Sequence, residues 1–389
     1  MSVDELTEEQ KLIVQSAREI IKKFNPEYWR EKDRKKEWPR EFHEALTEAG
    51  FFGILIPEKY GGSGFGLKEL ILAVEELTKG GAGAGAYAQL LLPEVFGGVT
   101  LVKHGTEEQK EKYLPRIVKG EVACLALTEP EAGVNTFKIN TMAVRDGNEY
   151  VINGRKIWIS GVDKSKLMVL VARTSPYDPS KKTHGLSIFL VDLPNDSIEI
   201  TPIEKHGWNW EEAFNVYIND LRVPKENLLG GKEGQGWWQI VDTLNPERIM
   251  VAIAAYGIGD LAIRKAVEYA NRRVVFEAPI GSYQGIQFPL AKAKANLEAS
   301  KLLVYKAADL FDKGKPCFTE ACMAALTAIE AGIEAVFYSM QAFGSYSYAL
   351  EYDVERWWRE VLLFRLAPIP YNMLLNEIAR FILGMPKSY

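Results

Sequence analysis

Cysteine and histidine are scarce in this sequence. Its 389 residues include three cysteines, Cys124, Cys317 and Cys322, and four histidines. Three cysteines are too few, and odd in number, for a disulfide framework, and they are typical of free thiols in a reducing compartment. The histidines are scattered and lack the spacing of metal ligands. We therefore expect neither a disulfide nor a metal site, and we expect a cytoplasmic protein.

An excess of positive charge is also missing. The sequence has 47 Lys and Arg residues against 52 Asp and Glu residues, a formal net charge of −5 at pH 7. No basic stripe is visible, so nucleic acid is not an expected partner. We find no signal peptide and no apolar run that we judge long enough to span a bilayer, so no membrane contact is expected either.

The sequence does contain three successive zones of predicted secondary structure. Residues 1–122 and 231–389 show the apolar periodicity of helices, whereas residues 123–230 contain short β-rich runs separated by Gly, Pro, Asn and Asp. Because helices and strands do not alternate along the chain, we predict an α+β fold with three domains rather than a doubly wound nucleotide-binding fold. The longest candidate helices are 237–275, 285–313 and 319–343.

Residues 123–161 are the most informative segment. The segment begins with an apolar run that ends in Thr128, a proline turn and Gly133. It closes with a strand-like run of alternating polar and apolar residues that carries Trp158 beside Ser160. If these two strands pair, backbone N–H groups, two hydroxyls and an aromatic plate converge, an arrangement that suits a flat heteroaromatic ring. Either piece alone could be an ordinary hairpin.

Together, at this spacing, the two pieces closely resemble the flavin-binding motifs of acyl-CoA dehydrogenases. The resemblance runs nearly end to end, and it implies an N-terminal helical domain (1–122), a central β domain with the flavin face (123–230) and a C-terminal four-helix bundle (231–389). Members of this family usually form tetramers in which each FAD is shared across a subunit interface. The other landmarks are Pro57–Gly62, Gly105–Lys110, Val223–Gly230, Gln341–Gly344, Val354–Arg356 and Ile378–Arg380.

The resemblance also implies which residues bind FAD. One set would hold the isoalloxazine and nearby phosphates, and a second set would reach the adenosine half of a neighbouring subunit's FAD. An arginine in the second set suits a pyrophosphate. From the residues alone, Phe276 would instead be interpreted as helix core and Gln284 as a surface amide. The first set is Leu125, Leu127, Thr128, Gly133, Val134, Trp158 and Ser160, and the second is Arg273, Phe276, Gln284, Gln341 and Gly344.

The family's catalytic base is where the sequence departs most. Most members take the substrate's α proton with the Glu of a Tyr-Glu-Gly-Thr run, and Pro368 occupies that place here. Branched-chain and long-chain members use a Glu just before an Arg, which corresponds to Glu247, with Arg248 as an implied substrate-binding residue. Since Glu247 follows a proline, a favourable interaction with the dipole at a helix's first turn would also explain it.

Other departures keep alternative functions open. Val134 and Asn135 replace the usual Ser and Asp, and Trp208-Asn209-Trp210 replaces a small turn near the CoA. Our leading hypothesis is FAD-dependent α,β-dehydrogenation of an acyl-CoA in fatty acid metabolism, by a homodimer or homotetramer that passes electrons to an electron-transfer flavoprotein. The alternatives are a non-catalytic subunit that forms a heteromer with a sister chain, and a flavin monooxygenase or oxidase on the same fold.

Overall fold

Helices form the first third of the chain in the structure, a computed structural model that describes residues 6–388. The first helix begins at a capping box in which the Thr7 hydroxyl accepts from the Gln10 N–H while the Gln10 amide accepts from the Thr7 N–H. Thr106 and Gln109 start a later helix in the same way. The helices are α1 (Glu8–Lys23), α2 (Pro26–Lys35), α3 (Arg40–Glu48), α4 (Leu67–Leu77), α5 (Ala84–Leu90), α6 (Thr100–His104) and α7 (Glu107–Val118), with π-helical turns at Thr78–Ala82 and Leu91–Val99.

A seven-stranded sheet forms the middle of the chain. The hydrogen-bonded order is β1-β4-β2-β3-β7-β6, and β5 pairs with β4. The β1–β4 pair is parallel, and the β3–β7 pair is a long antiparallel one. The strands are β1 (Ala123–Ala126), β2 (Met142–Asp146), β3 (Glu149–Ser160), β4 (Leu167–Arg173), β5 (Leu186–Asp192), β6 (Ile198–Pro202) and β7 (Ala213–Pro224).

Long helices return after the sheet. The 37-residue helix α8 packs against both α9 and α10, and its middle third is buried on all sides. This sequence of helices, sheet and helices confirms the predicted α+β fold. The elements are α8 (Gly236–Arg272), α9 (Gln284–Asp312), α10 (Phe318–Phe343), α11 (Val354–Leu363) and α12 (Tyr371–Phe381), with a short hairpin of β8 (Val274–Val275) and β9 (Ala278–Pro279) between α8 and α9.

Two helical segments correct the expectation that no apolar run is long enough to span a bilayer. Ala84–His104 and Phe318–Tyr348 both reach that length and hydropathy. Within the protein, 94% of the most apolar window of the first segment is buried, against 56% for the second. The first therefore owes its composition to the core that it helps to form.

Candidate active site

The two motifs of residues 123–161 meet, although their strands do not pair with each other: β1 pairs with β4, and β3 pairs with β2 and β7. The Ile157 N–H donates to the Thr128 carbonyl over 3.0 Å, and the Thr128 hydroxyl donates to the Ile157 carbonyl over 2.6 Å. Thr128 is the second residue after β1, and Ile157 lies near the end of β3. These reciprocal bonds hold the end of the first motif against the strand that carries Trp158 and Ser160.

A β-bulge exposes the indole of Trp158. Between Lys156 and Ile159 the β3–β7 register shifts, so that β3 carries one residue more than β7. Trp158 lies in this bulge with a φ of 60°, a left-handed conformation that is unfavourable for a bulky side chain. Its indole is 56% exposed at the surface of one chain. Strained backbone of this kind is typical of ligand sites, where it aims a side chain.

A buried ion pair supports the turn after Thr128. The Lys156 ammonium donates to the Leu127 carbonyl over 3.0 Å and to the Glu129 carboxylate over 2.9 Å. Glu129 also accepts from the backbone N–H groups of Asn140 and Thr141. Burial opposes the ionisation of Glu129, but Lys156 and these donors together hold its pKa below the ordinary value. This buried charged network therefore fixes the position of the turn.

The first predicted set of FAD residues shares this surface. Leu125, Leu127, Thr128 and Ser160 are half-buried, whereas Gly133 and Val134 are exposed on the turn that follows. A side chain at Gly133 would meet no atom within 4 Å, so the backbone there is open to a ligand. An exposed indole face, two hydroxyls and an open glycine turn fit a flavin ring and its phosphates.

The second predicted set lies at the other end of α8. Arg273 follows this helix directly, and Phe276 and Glu277 form a two-residue turn between β8 and β9 with φ values of 52° and 70°. Phe276 is 89% exposed, so its interpretation as helix core is wrong. Gln284 is exposed at the start of α9. An exposed phenylalanine on a strained hairpin is well placed to contact another molecule.

Gln341 and Gly344 lie at the same end of the helical bundle. Gln341 is in the last turn of α10, and Gly344 ends that helix with a φ of 61°. The ring of Tyr269, near the end of α8, stacks on Phe343 with centroids 4.4 Å apart. The bundle therefore brings the ends of α8 and α10 together, although their residues are about 70 positions apart in sequence.

Glu247 is buried in the middle of α8. The helix begins at Gly236 and continues through Pro246, so the alternative explanation of Glu247 by a first-turn dipole is wrong. Its carboxyl group makes no hydrogen bond with any residue in the 6–388 range that the structure describes. Burial raises the pKa of Glu247 to about 8, against the smaller opposing effect of Arg248. A carboxyl with such a pKa is suited to proton abstraction near neutral pH.

Arg248 points toward the beginning of α10. Its Nη1 donates to the Asn245 side chain over 2.7 Å, and its guanidinium lies 5.3 Å from the centre of the Phe318 ring. Its Nε is buried without a partner among the described residues. Burial lowers its pKa. A role for Arg248 in substrate binding stays a prediction.

The segment that replaces the usual base also lies where the family pattern implies. Pro368 is exposed in the irregular connection between α11 and α12. Just before it, Phe364 is buried and its ring contacts Tyr87 with centroids 5.3 Å apart. Burial raises the pKa of Tyr87, and the charge of Glu247 adds to this rise.

Two further buried carboxyl groups were not anticipated from the sequence. Burial raises the pKa of both Glu94 and Glu211 to about 8. Glu94 accepts from the Leu55 N–H over 2.8 Å, and Glu211 has no partner for either oxygen among the described residues. Glu211 Oε1 lies 3.0 Å from where a Cβ on Gly161 would be, directly after Ser160. In the sequence, Glu94 could have been noticed as an acidic residue within an apolar run.

Comparisons with known proteins identify the family of the chain. The N-terminal, middle and C-terminal domain models of the acyl-CoA dehydrogenase family match residues 7–121, 124–221 and 234–383. Acyl-CoA dehydrogenase FadE12 of Mycobacterium tuberculosis is 36% identical over 98% of both chains. The caffeyl-CoA reductase-Etf complex subunit CarC of Acetobacterium woodii is 36% identical over 92% of this chain and 94% of its own.

The solved structures lead to the same family. Butyryl-CoA dehydrogenase from Megasphaera elsdenii superposes with a TM-score of 0.92 at 32% identity, over 98% of this chain and all of its own. The family models cover all three regions of the chain, and their boundaries follow the change from helix to sheet and back. The chain therefore belongs to the acyl-CoA dehydrogenase family, and it is an oxidoreductase that acts on acyl-CoA with FAD as its cofactor.

Proposed function

We propose that this chain catalyses α,β-dehydrogenation of an acyl-CoA thioester with Glu247 as the base. One observation carries the assignment: Glu247 directly precedes Arg248 in a part of α8 where every residue is buried, and its carboxyl group has no hydrogen-bond partner among the described residues. Burial raises the pKa of Glu247 to about 8, so its ionised form is a stronger base than an ordinary carboxylate and is present as the minor form at neutral pH. Pro368, at the usual position of the base, cannot accept a proton.

The chemistry divides between cofactor and chain. When bound, FAD supplies the acceptor for the hydride of the substrate's β carbon. Glu247 takes the α proton, the two electrons of the α C–H bond form the new double bond, and the carboxylate becomes a neutral acid. Removing a weakly acidic proton requires a desolvated base that is held in place, which burial within α8 provides.

Four finer features are also proposals. Electrons pass to an electron-transfer flavoprotein, which is supported by the relative that is named as a subunit of an Etf complex. The chain assembles as a homotetramer, or as a homodimer, with FAD shared across an interface, which is supported by the exposed Phe276. A cytoplasmic location is supported by three buried free cysteines. The process that it serves is fatty acid metabolism.

Replacing Glu247 by Gln tests the base. Glu247→Gln keeps shape and removes basicity, so FAD should remain bound while flavin reduction by a competent acyl-CoA falls by at least roughly a hundredfold. Glu94→Gln is the matched control, since Glu94 is equally buried but bonds to Leu55 in the N-terminal domain. The measurement is anaerobic bleaching of the flavin by a panel of straight-chain, branched and ring-bearing acyl-CoAs.

Three outcomes would contradict the proposal in different ways. Wild-type rates in Glu247→Gln would remove Glu247 as the base. No bleaching of the wild-type homomer by any acyl-CoA would favour the non-catalytic subunit of a heteromer, which co-purification with a sister chain would then reveal. Rapid formation of peroxide in air would favour an oxidase over a dehydrogenase that passes its electrons to a protein.

A further inference from the structure

Four large aromatic side chains form a continuous series of ring contacts, here called the aromatic row. Trp208 stacks on Trp210 with ring centroids 5.4 Å apart and planes 23° from parallel. Trp210 contacts Trp29 of α2 edge-on at 5.8 Å, and Trp29 contacts Tyr28 edge-on at 5.5 Å. The three indoles are buried, whereas Tyr28 is half-buried at the surface. The aromatic row therefore leads from the core of the protein to solvent through rings in mutual contact.

The inner part of the aromatic row borders the surface of the first predicted set of FAD residues. Trp210 directly precedes Glu211, whose Oε1 lies 3.0 Å from where a Cβ on Gly161 would be. Gly161 follows Ser160, and Ser160 pairs with Ala213 in the β3–β7 ladder. Because Ala213 is the third residue after Trp210, their Cα atoms lie within about 11 Å of each other. The inner part of the aromatic row is therefore fixed beside the predicted flavin surface.

The buried indoles of the aromatic row lack a good proton acceptor. The N–H groups of Trp29 and Trp210 are buried without a hydrogen-bond partner among residues 6–388, which the structure describes. The Trp208 N–H donates over 3.2 Å to the backbone carbonyl of Glu360, which is neutral and only weakly basic. An indole that loses an electron becomes acidic, but in these surroundings it has no base to take its proton. It therefore keeps its positive charge and can take an electron from the next ring.

Tyr28 differs from the indoles because it has a charged proton acceptor. Its hydroxyl donates to the Glu41 carboxylate over 2.9 Å. Burial opposes the ionisation of Glu41, but hydrogen bonds from its own backbone N–H, Lys32 and Tyr28 hold its pKa below the ordinary value. The Lys32 ammonium also lies 5.5 Å from the centre of the Tyr28 ring and disfavours a positive charge there. Oxidation of Tyr28 therefore requires that its proton move to Glu41 along the existing hydrogen bond.

We propose that the aromatic row carries oxidising equivalents from the flavin surface to Tyr28 and so protects the active site from one-electron oxidants. The inference rests on FAD binding at the Ser160 surface but not on the role of Glu247. The oxidant, which is photoexcited FAD or an oxygen radical, gains one electron, and a tryptophan of the row loses it.

The charge balance closes at Tyr28. Each oxidised indole takes an electron from the next ring, until Tyr28 loses an electron and passes its hydroxyl proton to Glu41. The products are the reduced oxidant, a neutral tyrosyl radical and a neutral carboxylic acid. A thiol in solution then restores the phenol by giving it a hydrogen atom, which leaves a thiyl radical, and Glu41 releases its proton to water.

Laser flash photolysis of the FAD-loaded protein tests the inference. After excitation of the flavin by blue light, transient absorption of the wild type should show a tryptophan radical that is replaced by a tyrosine radical. Tyr28→Phe should abolish the tyrosine signal and shorten the lifetime of the separated charges by about tenfold or more, the effect of each 1.4 kcal/mol of trap depth. Trp29→Phe should interrupt the aromatic row with the same result. Trp38→Phe is the matched control, since the Trp38 ring contacts His43 and its N–H is also buried without a partner among the described residues.

Glu41→Gln tests the proton transfer separately from the ring contacts. Glu41 is exposed, so the variant should fold as the wild type does while it removes the base that accepts the Tyr28 proton. The tryptophan radical should then persist and the tyrosine radical should form more slowly. In the wild type, but not in Glu41→Gln, formation of the tyrosine radical should be slower in deuterated water.

The inference and the predicted flavin site can fail separately. A wild-type protein without any amino-acid radical, or a tyrosine radical of undiminished yield in Tyr28→Phe and Trp29→Phe, would overturn the inference. If the protein does not bind FAD, the predicted flavin site fails, and azidyl radicals from pulse radiolysis then serve as the oxidant. Conversion of tryptophan radicals to tyrosine radicals that is lost in Tyr28→Phe would support the inference. Conversion that persists in Tyr28→Phe, or that is missing from the wild type, would overturn it.

Discussion

At the scale of single residues, three buried glutamates have an unusually high pKa. Burial raises the pKa of Glu94, Glu211 and Glu247 to about 8. A carboxyl group that stays neutral when folded but ionises when unfolded makes folding less favourable as pH rises. Such groups persist only where another benefit offsets that cost, which for Glu247 is the catalytic role that we propose. Glu211, beside the turn that follows Ser160, has no partner among the described residues that explains its burial.

Glu211→Gln should make the protein less sensitive to rising pH. In the wild type, the stability linked to Glu211 is complete below pH 4.5, the ordinary pKa, and declines until pH about 8, its pKa in the folded protein. The slope for one such group is at most about 1.4 kcal/mol per pH unit. Denaturant unfolding at about pH 5 and about pH 7.5 should therefore show a smaller loss of stability in Glu211→Gln than in the wild type. The half-buried neighbour offers the control Glu212→Gln, and equal slopes in all three proteins would refute the argument.

Sequence reasoning identified residues whose chemistry is visible in a local pattern. Thr128, Trp158 and Ser160 belong to two short motifs, and the structure brings those motifs together through Thr128 and Ile157. Glu211 was missed because an acidic residue in a polar loop looks solvated until packing buries it. Burial depends on contacts between elements far apart in sequence, which no local pattern contains.

At the scale of elements, the buried pair Glu129–Lys156 links the turn after β1 to β3. It lies beneath the surface of the first predicted set of FAD residues, and the side chains of both residues are almost fully buried. The pair is not needed for sheet formation, because backbone bonds already join the strands. Its contribution is to fix where Thr128 and the following turn lie relative to the Trp158 bulge.

Lys156→Met should therefore destabilise the protein and weaken FAD binding together. It leaves the Glu129 charge buried without its partner, at an expected cost of about 3–5 kcal/mol in the free energy of unfolding. The double variant Glu129→Leu/Lys156→Met removes both charges and should recover only part of that stability, because the N–H groups of Asn140 and Thr141 lose their acceptor. It should not recover the FAD affinity, since the turn has lost its anchor. Chemical denaturation and FAD titration of the three proteins measure both effects. A double variant that binds FAD as tightly as the wild type would show that the pair only supports folding.

Periodicity predicted the long elements better than it predicted what they do. The expected helix 237–275 corresponds to α8 at Gly236–Arg272, yet Glu247 was also weighed as a first-turn residue. A proline looks like a helix start in sequence, but α8 continues through Pro246, and every residue from Pro246 to Ile263 is buried by tertiary packing. The hairpin after α8 was not predicted, because neither Phe276 nor Glu277 is a typical residue for a turn with positive φ.

At the scale of the whole molecule, the second set of predicted FAD residues lies exposed on the surface of the chain. Phe276 is among the most exposed apolar side chains of the described chain, and Arg273 and Gln284 are exposed beside it. The strained backbone of the β8–β9 hairpin holds Phe276 at the surface. A protein surface that displays a large ring in this way is typically covered by a partner.

Arg273→Ala should consequently loosen FAD and the subunit interface at the same time. Loss of a charge-assisted bond to a pyrophosphate is expected to raise the Kd for FAD by about tenfold or more. If two subunits share each FAD, diluting the wild-type protein should release flavin as subunits separate, and Arg273→Ala should do so at a higher protein concentration. Arg272→Ala removes the exposed arginine next to it in sequence and should leave both properties unchanged. Flavin fluorescence and sedimentation across a dilution series measure release and assembly in the same samples. If Arg273→Ala kept the wild-type FAD affinity, or if flavin release did not follow dissociation, the FAD site would belong to a single chain and the exposed hairpin would require another explanation.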